Sequence, residues 1–314
     1  MHKGIWIAIG CGVLSALLFG MGRLVPTAGL FAVVAAFPPM MVGLAFGTRS
    51  VSIASLTGVF AAILSTSLVE GGFYGVFIAF PAWLVVRTAL MSRQSGAGDV
   101  EWYPIGAAVA RLALFGAMVL MLGAIATQSD AAGFRGSVEE LLRTMFAQRL
   151  GITGSEPGTD AMIQATVNIF PGMFIAGWML IMILNAVLAQ AFLVKQGANA
   201  RPTPTYTMLD APEWVYWALV GSAILALLGS GDIEYLGRNL VIVLAAPFFY
   251  IGLGIVHIVV RRQAIPALAF MAFYFLLFIS TWTFVAVAGL GFFEQWAALR
   301  NRFAPAQINP NEED

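Results

Sequence analysis

The sequence predicts an all-α protein, a polytopic transmembrane helical bundle of about nine spans, or ten if the last stretch folds back, plus one amphipathic helix. Two observations predict it. Hydrophobic residues make up 60% of the 314 residues and charged residues 10%, where soluble domains hold roughly 45–50% and about 25%. The apolar residues also fall into runs of about 20, the length that crosses a bilayer. Zero net charge, one cysteine and two histidines exclude a basic nucleic-acid binder, a disulfide scaffold and a His-rich metal or haem site. A soluble enzyme is excluded because so few charges cannot cover so much apolar surface.

The elements follow in order. Gly4–Met21 is the first span, preceded by the basic Met1-His2-Lys3 and followed by no small-residue cleavage site, so it reads as uncleaved. Ala8-Ile9-Gly10-Cys11 loosely fits a lipoprotein box, but the apolar run before it is too short and continues past it. Cys11 therefore reads as a small apolar helix residue. Ala28–Phe46 is the second span, interrupted by Pro38-Pro39; Val51–Val69 is the third; Gly72–Leu90 is the fourth, kinked at Pro81. After a polar stretch, Ser92–Tyr103, comes the fifth span, Pro104–Ala126.

The longest polar region, Thr127–Asp160, contains Ser137–Leu150, where Leu141, Leu142, Met145, Phe146 and Leu150 share one helical face. Ser137 with Glu140 reads as a capping box, and a Gly-rich loop, Gly151–Thr159, follows. The sixth span, Ala161–Val194, is long enough to bend at Pro171-Gly172. Arg201-Pro202-Thr203-Pro204, in the polar loop Lys195–Pro212, reads as extended chain. Trp214–Leu228 is the seventh span, with Trp214, Tyr216 and Trp217 as interfacial anchors, and Leu236–Val260 is the eighth. Ile265–Trp296 would be about 48 Å long as one helix, beyond a core of about 30 Å; it is either one span with an amphipathic end or a hairpin turning near Ser280-Thr281. The grouping is residues 1–195, a six-span bundle carrying the amphipathic helix in its 127–160 loop, then membrane helices over 196–303, then a disordered acidic tail over 304–314.

Loop charges set the orientation. With a cytoplasmic N-terminus, Lys3, Arg49, Arg87, Arg93, Lys195, Arg201, Arg261 and Arg262 fall inside, against Arg23, Arg135, Arg143, Arg149 and Arg238 outside. Arg300 and Arg302 join the inside set if the last stretch is a hairpin. The expected location is a bacterial inner membrane.

The chain has no Walker A sequence, no H-E-x-x-H and no G-x-S-x-G. Gly252-Leu253-Gly254 lacks a third glycine and sits within a span. No enzymatic activity and no cofactor are expected. Ionisable and amide groups within spans are costly and default to functional candidates. Arg111, about two turns into the fifth span, is a counter-charge for an anionic substrate group or a structural arginine reaching the interface. His257 is a ligand-binding or titrating group, or an interfacial residue beside Arg261-Arg262. Asn168, Asn185, Gln190 and Asn239 bind a ligand or bond across helices. Glu70 is solvated or gates a cavity mouth. Gly43 and Gly47, like Gly71 and Gly75, have G-x-x-x-G spacing; with Ala54 and Gly58 they permit close helix approach, within the chain or to a partner membrane protein.

Asn239–Arg262 resembles the C-terminal half of the YybS-like family of predicted bacterial membrane proteins. Gly289-Leu290-Gly291-Phe292-Phe293-Glu294-Gln295-Trp296 with Arg300, and Pro212-Glu213-Trp214, resemble it too. That family has no settled function. In the first half, Pro26 before a Gly/Ala-rich span, then Val42-Gly43-Leu44-Ala45-Phe46-Gly47 and another small-residue span, resemble the S components of energy-coupling-factor vitamin transporters. That resemblance implies about six helices binding a small molecule and docking to a transmembrane coupler and ATPases supplied in trans; this chain adds C-terminal spans and a long polar loop. The expected function is therefore solute binding or transport without a built-in ATPase, or else a scaffold or assembly factor for partner membrane proteins.

Overall fold

The computed structural model describes residues 2–24, 29–94, 99–150, 158–263 and 265–297. Pro26, residues 151–157 of the Gly-rich loop, Arg300, Arg302 and the acidic tail lie outside the described residues. The chain divides into two units, Met1–Pro204 with Pro212–Leu244, and Thr205–Ala211 with Ala245–Asp314.

The first unit opens with α1 (His2–Leu24), the short α2 (Gly29–Val33), α3 (Phe37–Phe46) and α4 (Thr48–Ser65). Gly47, at φ +94°, makes the sharp turn between α3 and α4. Next come α5 (Leu68–Tyr74), a π turn (Gly75–Ala79) and α6 (Phe80–Ala89), which form one span. A hairpin, β1 (Ser92–Gln94) with β2 (Val100–Trp102), then leads into α7 (Gly106–Ala126). The amphipathic α8 (Gly133–Leu150) is followed by α9 (Thr159–Val167), α10 (Phe170–Lys195), α11 (Glu213–Leu228) and the start of α12 (Asp232–Arg262). The core is built from small and branched side chains at helix crossings. A Cβ on Gly12 of α1 would strike the Ala54 carbonyl of α4, so the glycine sets how closely these two helices approach.

In the second unit the rest of α12 accompanies α13 (Ala267–Ile279) and α14 (Thr281–Ala297). Gly252 and Gly291 bring α12 and α14 into backbone contact, since a Cβ on either would strike a carbonyl of the other helix. Phe249 stacks on Phe284 at 4.5 Å beside them.

The architecture is all-α and polytopic. Among the described residues, six helices are long and apolar enough to cross a membrane, or up to seven with the bent pair α13 and α14 counted as one span. The expected nine or ten are not reached, and the difference lies in three stretches. The second and seventh expected spans form the shorter apolar helices Phe31–Phe46 and Glu213–Leu228, the latter at nearly its expected bounds, and these end at Gly47 and Gly229. The last stretch bends by 108° where helix stops at Ser280.

The amphipathic helix starts four residues earlier than expected, and Ser137 does not cap it. The Ser137 hydroxyl bonds back to the Gly133 carbonyl at 2.9 Å within the helix. The N-terminus is capped instead by the Asp232 carboxylate, which accepts from the backbone N–H of Phe134 (2.9 Å) and Arg135 (3.3 Å). The buried edge of the helix is Phe134, Val138 and Leu142, while Leu141 and Met145 of the expected apolar face are exposed.

Candidate functional site

A proline in a membrane helix deprives the carbonyl four residues earlier of its donor, and in lipid that carbonyl must find another. At three positions in the first unit a side chain from a distant segment supplies it. Pro39 leaves the Ala35 carbonyl, which accepts from Ser15 Oγ at 2.5 Å; Ser15 in turn accepts from the Tyr74 hydroxyl at 2.7 Å. Pro81 leaves the Phe77 carbonyl in the π turn, which accepts from Trp178 Nε1 at 2.7 Å. Pro171 leaves the Val167 carbonyl, which accepts from the Tyr235 hydroxyl at 2.8 Å.

The third break is the most elaborate. Between α9 and α10 the Asn168 carbonyl and the Gly172 N–H, four residues apart, would bond to each other in a continuous helix. Here the Asn239 carboxamide stands between them. Its Oδ1 accepts from Gly172 N–H at 2.8 Å and its Nδ2 donates to the Asn168 carbonyl at 3.2 Å. A second Nδ2 bond reaches the Tyr235 carbonyl at 2.9 Å. The amide thus imitates a peptide unit and is fully buried. Glycine is required at 172, because a Cβ there would meet the Asn239 carbonyl at 2.8 Å.

This break borders a pocket of about 660 Å³ lined by Arg135, Glu139, Asn168, Asp232, Glu234, Tyr235 and Arg238, among others. Its charges are arranged rather than loose. Arg238 pairs with Glu234, Arg135 donates to Gln164 Oε1 at 3.0 Å, and Arg143 bridges Glu139 (2.9 Å) and Asp160 (2.8 Å). The Gln164 amide, and then Arg143, hold the Glu139 carboxyl below its ordinary value. The pocket therefore presents both signs of charge, with Asn168 at the helix break.

The other sequence candidates have separate settings. Half-buried Arg111 donates to Thr88 Oγ1 at 3.0 Å and lies 3.2 Å from Met91 Sδ. Asn185 is 3% exposed; its Nδ2 donates to the Val33 and Ile181 carbonyls at 2.8 Å, and among the described residues its Oδ1 has no partner. The Val33 carbonyl needs that donor because the Phe37 N–H bonds to Val34 instead. His257 belongs to the second unit, with Nδ1 2.8 Å from the Leu253 carbonyl and Nε2 3.2 Å from the Tyr274 hydroxyl. Asn168 and Asn239 are thus the pair brought into contact, while Arg111, Asn185 and His257 share no hydrogen-bond partner. Gly43, Ala54 and Gly58 are buried against the chain's own helices. A Cβ on Gly43 would meet Val51 and Val86, and one on Gly58 the Tyr74 ring. Gly47 has open space around it.

Residues 13–294 match the family described as Predicted membrane protein (DUF2232). The chain belongs to the DUF2232 family. Comparison with curated proteins and with solved structures returned no match.

Sequence reasoning passed over three residues that hold this DUF2232 protein together. Arg201, assigned to a loop, is 7% exposed. Its guanidinium donates to the Ala89 carbonyl (2.7 Å), at the C-terminal end of α6, and to the Tyr103 carbonyl (3.0 Å), with the Trp102 ring 5.6 Å away. Gln190 secures that loop by donating to the Arg201 carbonyl at 2.8 Å. Trp178 and Tyr235 carry no local signal, but a proline within an apolar run implies a freed carbonyl and hence a donor elsewhere.

Proposed function

We propose that this DUF2232 protein is a non-enzymatic binding and transport protein for a small polar solute, residing in a bacterial inner membrane with its N-terminus cytoplasmic. The observation that carries this reading is the two-signed pocket at the break between α9 and the start of the membrane helix α10, because transporters use helix breaks, where backbone and polar side chains come together, to hold solutes. Arg135 and Arg238 suit a carboxylate or phosphate on the solute, and Glu139 and Glu234 an amine. Without a Walker A sequence the chain has no ATPase of its own, so uptake would draw on a coupler and ATPases in trans, as the resemblance to S components implies.

Purification in native lipids followed by mass spectrometry of extracted small molecules tests this. A polar molecule should accompany the wild type and be lost from Arg238→Gln, with Tm of the ligand-free proteins alike. Absence of any bound molecule, with no ATPase or coupler copurifying, would sink the reading.

A second reading, a scaffold for partner membrane proteins, draws on α13, none of whose residues is buried. Crosslinking from Phe275 or Phe278 to one defined protein, with uptake unchanged in a deletion strain, would favour it.

A further inference from the structure

A different opening lies over the π turn. A groove of about 360 Å³ runs between α4 and the α5–α6 span, lined by Ser52, Ser55, Leu56, Gly75, Phe80 and Trp83, among others. Its polar atoms are already engaged. Ser55 Oγ donates to the Ala79 carbonyl at 3.0 Å, Ser52 Oγ to Thr48 at 3.0 Å, and Trp83 Nε1 to Ser52 Oγ at 3.1 Å. A polar solute would find little to bond there. The walls are hydrocarbon, and Leu56 and Phe80 are 61% and 42% exposed, so the groove lies open at the protein surface.

Its ends differ. The Trp83–Ser52 hydrogen bond marks one end, and a helical turn beyond it stand two arginines. Arg87 follows Trp83 by four residues, and Arg49 precedes Ser52 by three. The Arg87 guanidinium lies 5.1 Å from the centre of the Trp83 ring. Both arginines are exposed and, among the described residues, neither has a carboxylate partner, whereas Arg93, Arg143 and Arg238 are each ion-paired. An apolar slot ending at an aromatic ring and two uncompensated cations has the layout of a lipid: chain, interface, anionic head.

We propose that this groove binds an anionic phospholipid, with one acyl chain along Leu56, Gly75 and Phe80 and the phosphate between Arg49 and Arg87. The π turn belongs to the site, since Gly75 presents no side chain and leaves the slot its depth. A Cβ there would meet only Val59, at an ordinary 3.7 Å, so a larger residue at 75 fills the groove without forcing the backbone.

The test reconstitutes the full chain into nanodiscs of equimolar phosphatidylglycerol and phosphatidylcholine, then counts the lipids retained on the released protein by native mass spectrometry. Wild type should retain phosphatidylglycerol over phosphatidylcholine by about tenfold. The double variant Arg49→Gln/Arg87→Gln should retain both lipids equally. Gly75→Leu should lose both. Equal retention by the wild type, a preference that survives the double variant, or undiminished retention in folded Gly75→Leu would each overturn the proposal. The double variant alters exposed residues only, so it decides the matter even if Gly75→Leu fails to fold.

Discussion

At Pro81 and at Pro171 a membrane span loses a backbone donor, and in both places an aromatic side chain elsewhere in the first unit supplies the missing hydrogen, Trp178 to Phe77 and Tyr235 to Val167. The repairs match, but their surroundings do not. The break at 167–172 is joined by the Asn239 amide and opens on a pocket with both signs of charge. The π turn opens on hydrocarbon. A distant donor can therefore satisfy the carbonyl that a proline frees, while the residues lining each break give it a polar or an apolar surface.

Four measurements would break or sharpen this comparison, all read as unfolding free energy or Tm in lipid micelles. Asn239→Leu should have the largest effect, on the order of 2–4 kcal/mol, because it strands the buried Gly172 N–H together with the part-buried Asn168 carbonyl. Trp178→Phe should cost about 1–2 kcal/mol through one stranded carbonyl. That cost should shrink in the background Pro81→Ala, where the missing N–H returns; Tyr235→Phe should couple to Pro171→Ala in the same way. Strict additivity in both double-mutant cycles would show that the aromatic donors do not serve the proline-freed carbonyls. Asn185→Leu should stay within about 1 kcal/mol, since losing the bond to Val33 is offset by removing the unpartnered Oδ1.

The smallest effect is a pH dependence confined to the polar break. The folded-state pKa of Glu139 is lowered, by Gln164 first and Arg143 second. Its contribution is therefore complete above the ordinary carboxylate range and is lost as pH falls through the lowered value. The Tm difference between wild type and Glu139→Gln should be present at pH 7 and vanish in acid. The π-turn groove, whose lining holds no titratable group, should show no such trend in Ser55→Ala.

The sequence made the helical membrane class legible, because composition and run length depend on nothing beyond the residues themselves. It also pointed to Asn239 as a costly amide within a span; that amide meets Asn168 through the Asn168 backbone carbonyl. It could not show that Asn239 completes a broken helix, since the residues it joins lie 67 and 71 positions away. Ser137 misled for the opposite reason. Its local pattern suits a cap, yet a tertiary partner, Asp232, holds the helix end 98 residues off and lets the helix begin earlier. Arg111 stood out by its place in an apolar run, whereas Arg201, more deeply buried, sat in a Pro-rich loop and took its burial from carbonyls on other elements. The count of nine or ten spans is not confirmed because two apolar stretches form helices shorter than a full crossing and a third bends at Ser280, where hydropathy alone treats it as continuous.

Synthesis runs from the N-terminus, and this gives the repaired carbonyls an order in time. Ala35 meets its donor at once, since Ser15 has already been made. Phe77 must wait for Trp178, Ala89 for Arg201 and Val167 for Tyr235, intervals of 101, 112 and 68 residues. A nascent chain halted before residue 178 therefore carries an open carbonyl in its fourth apolar stretch, and one halted before residue 235 carries another at Val167.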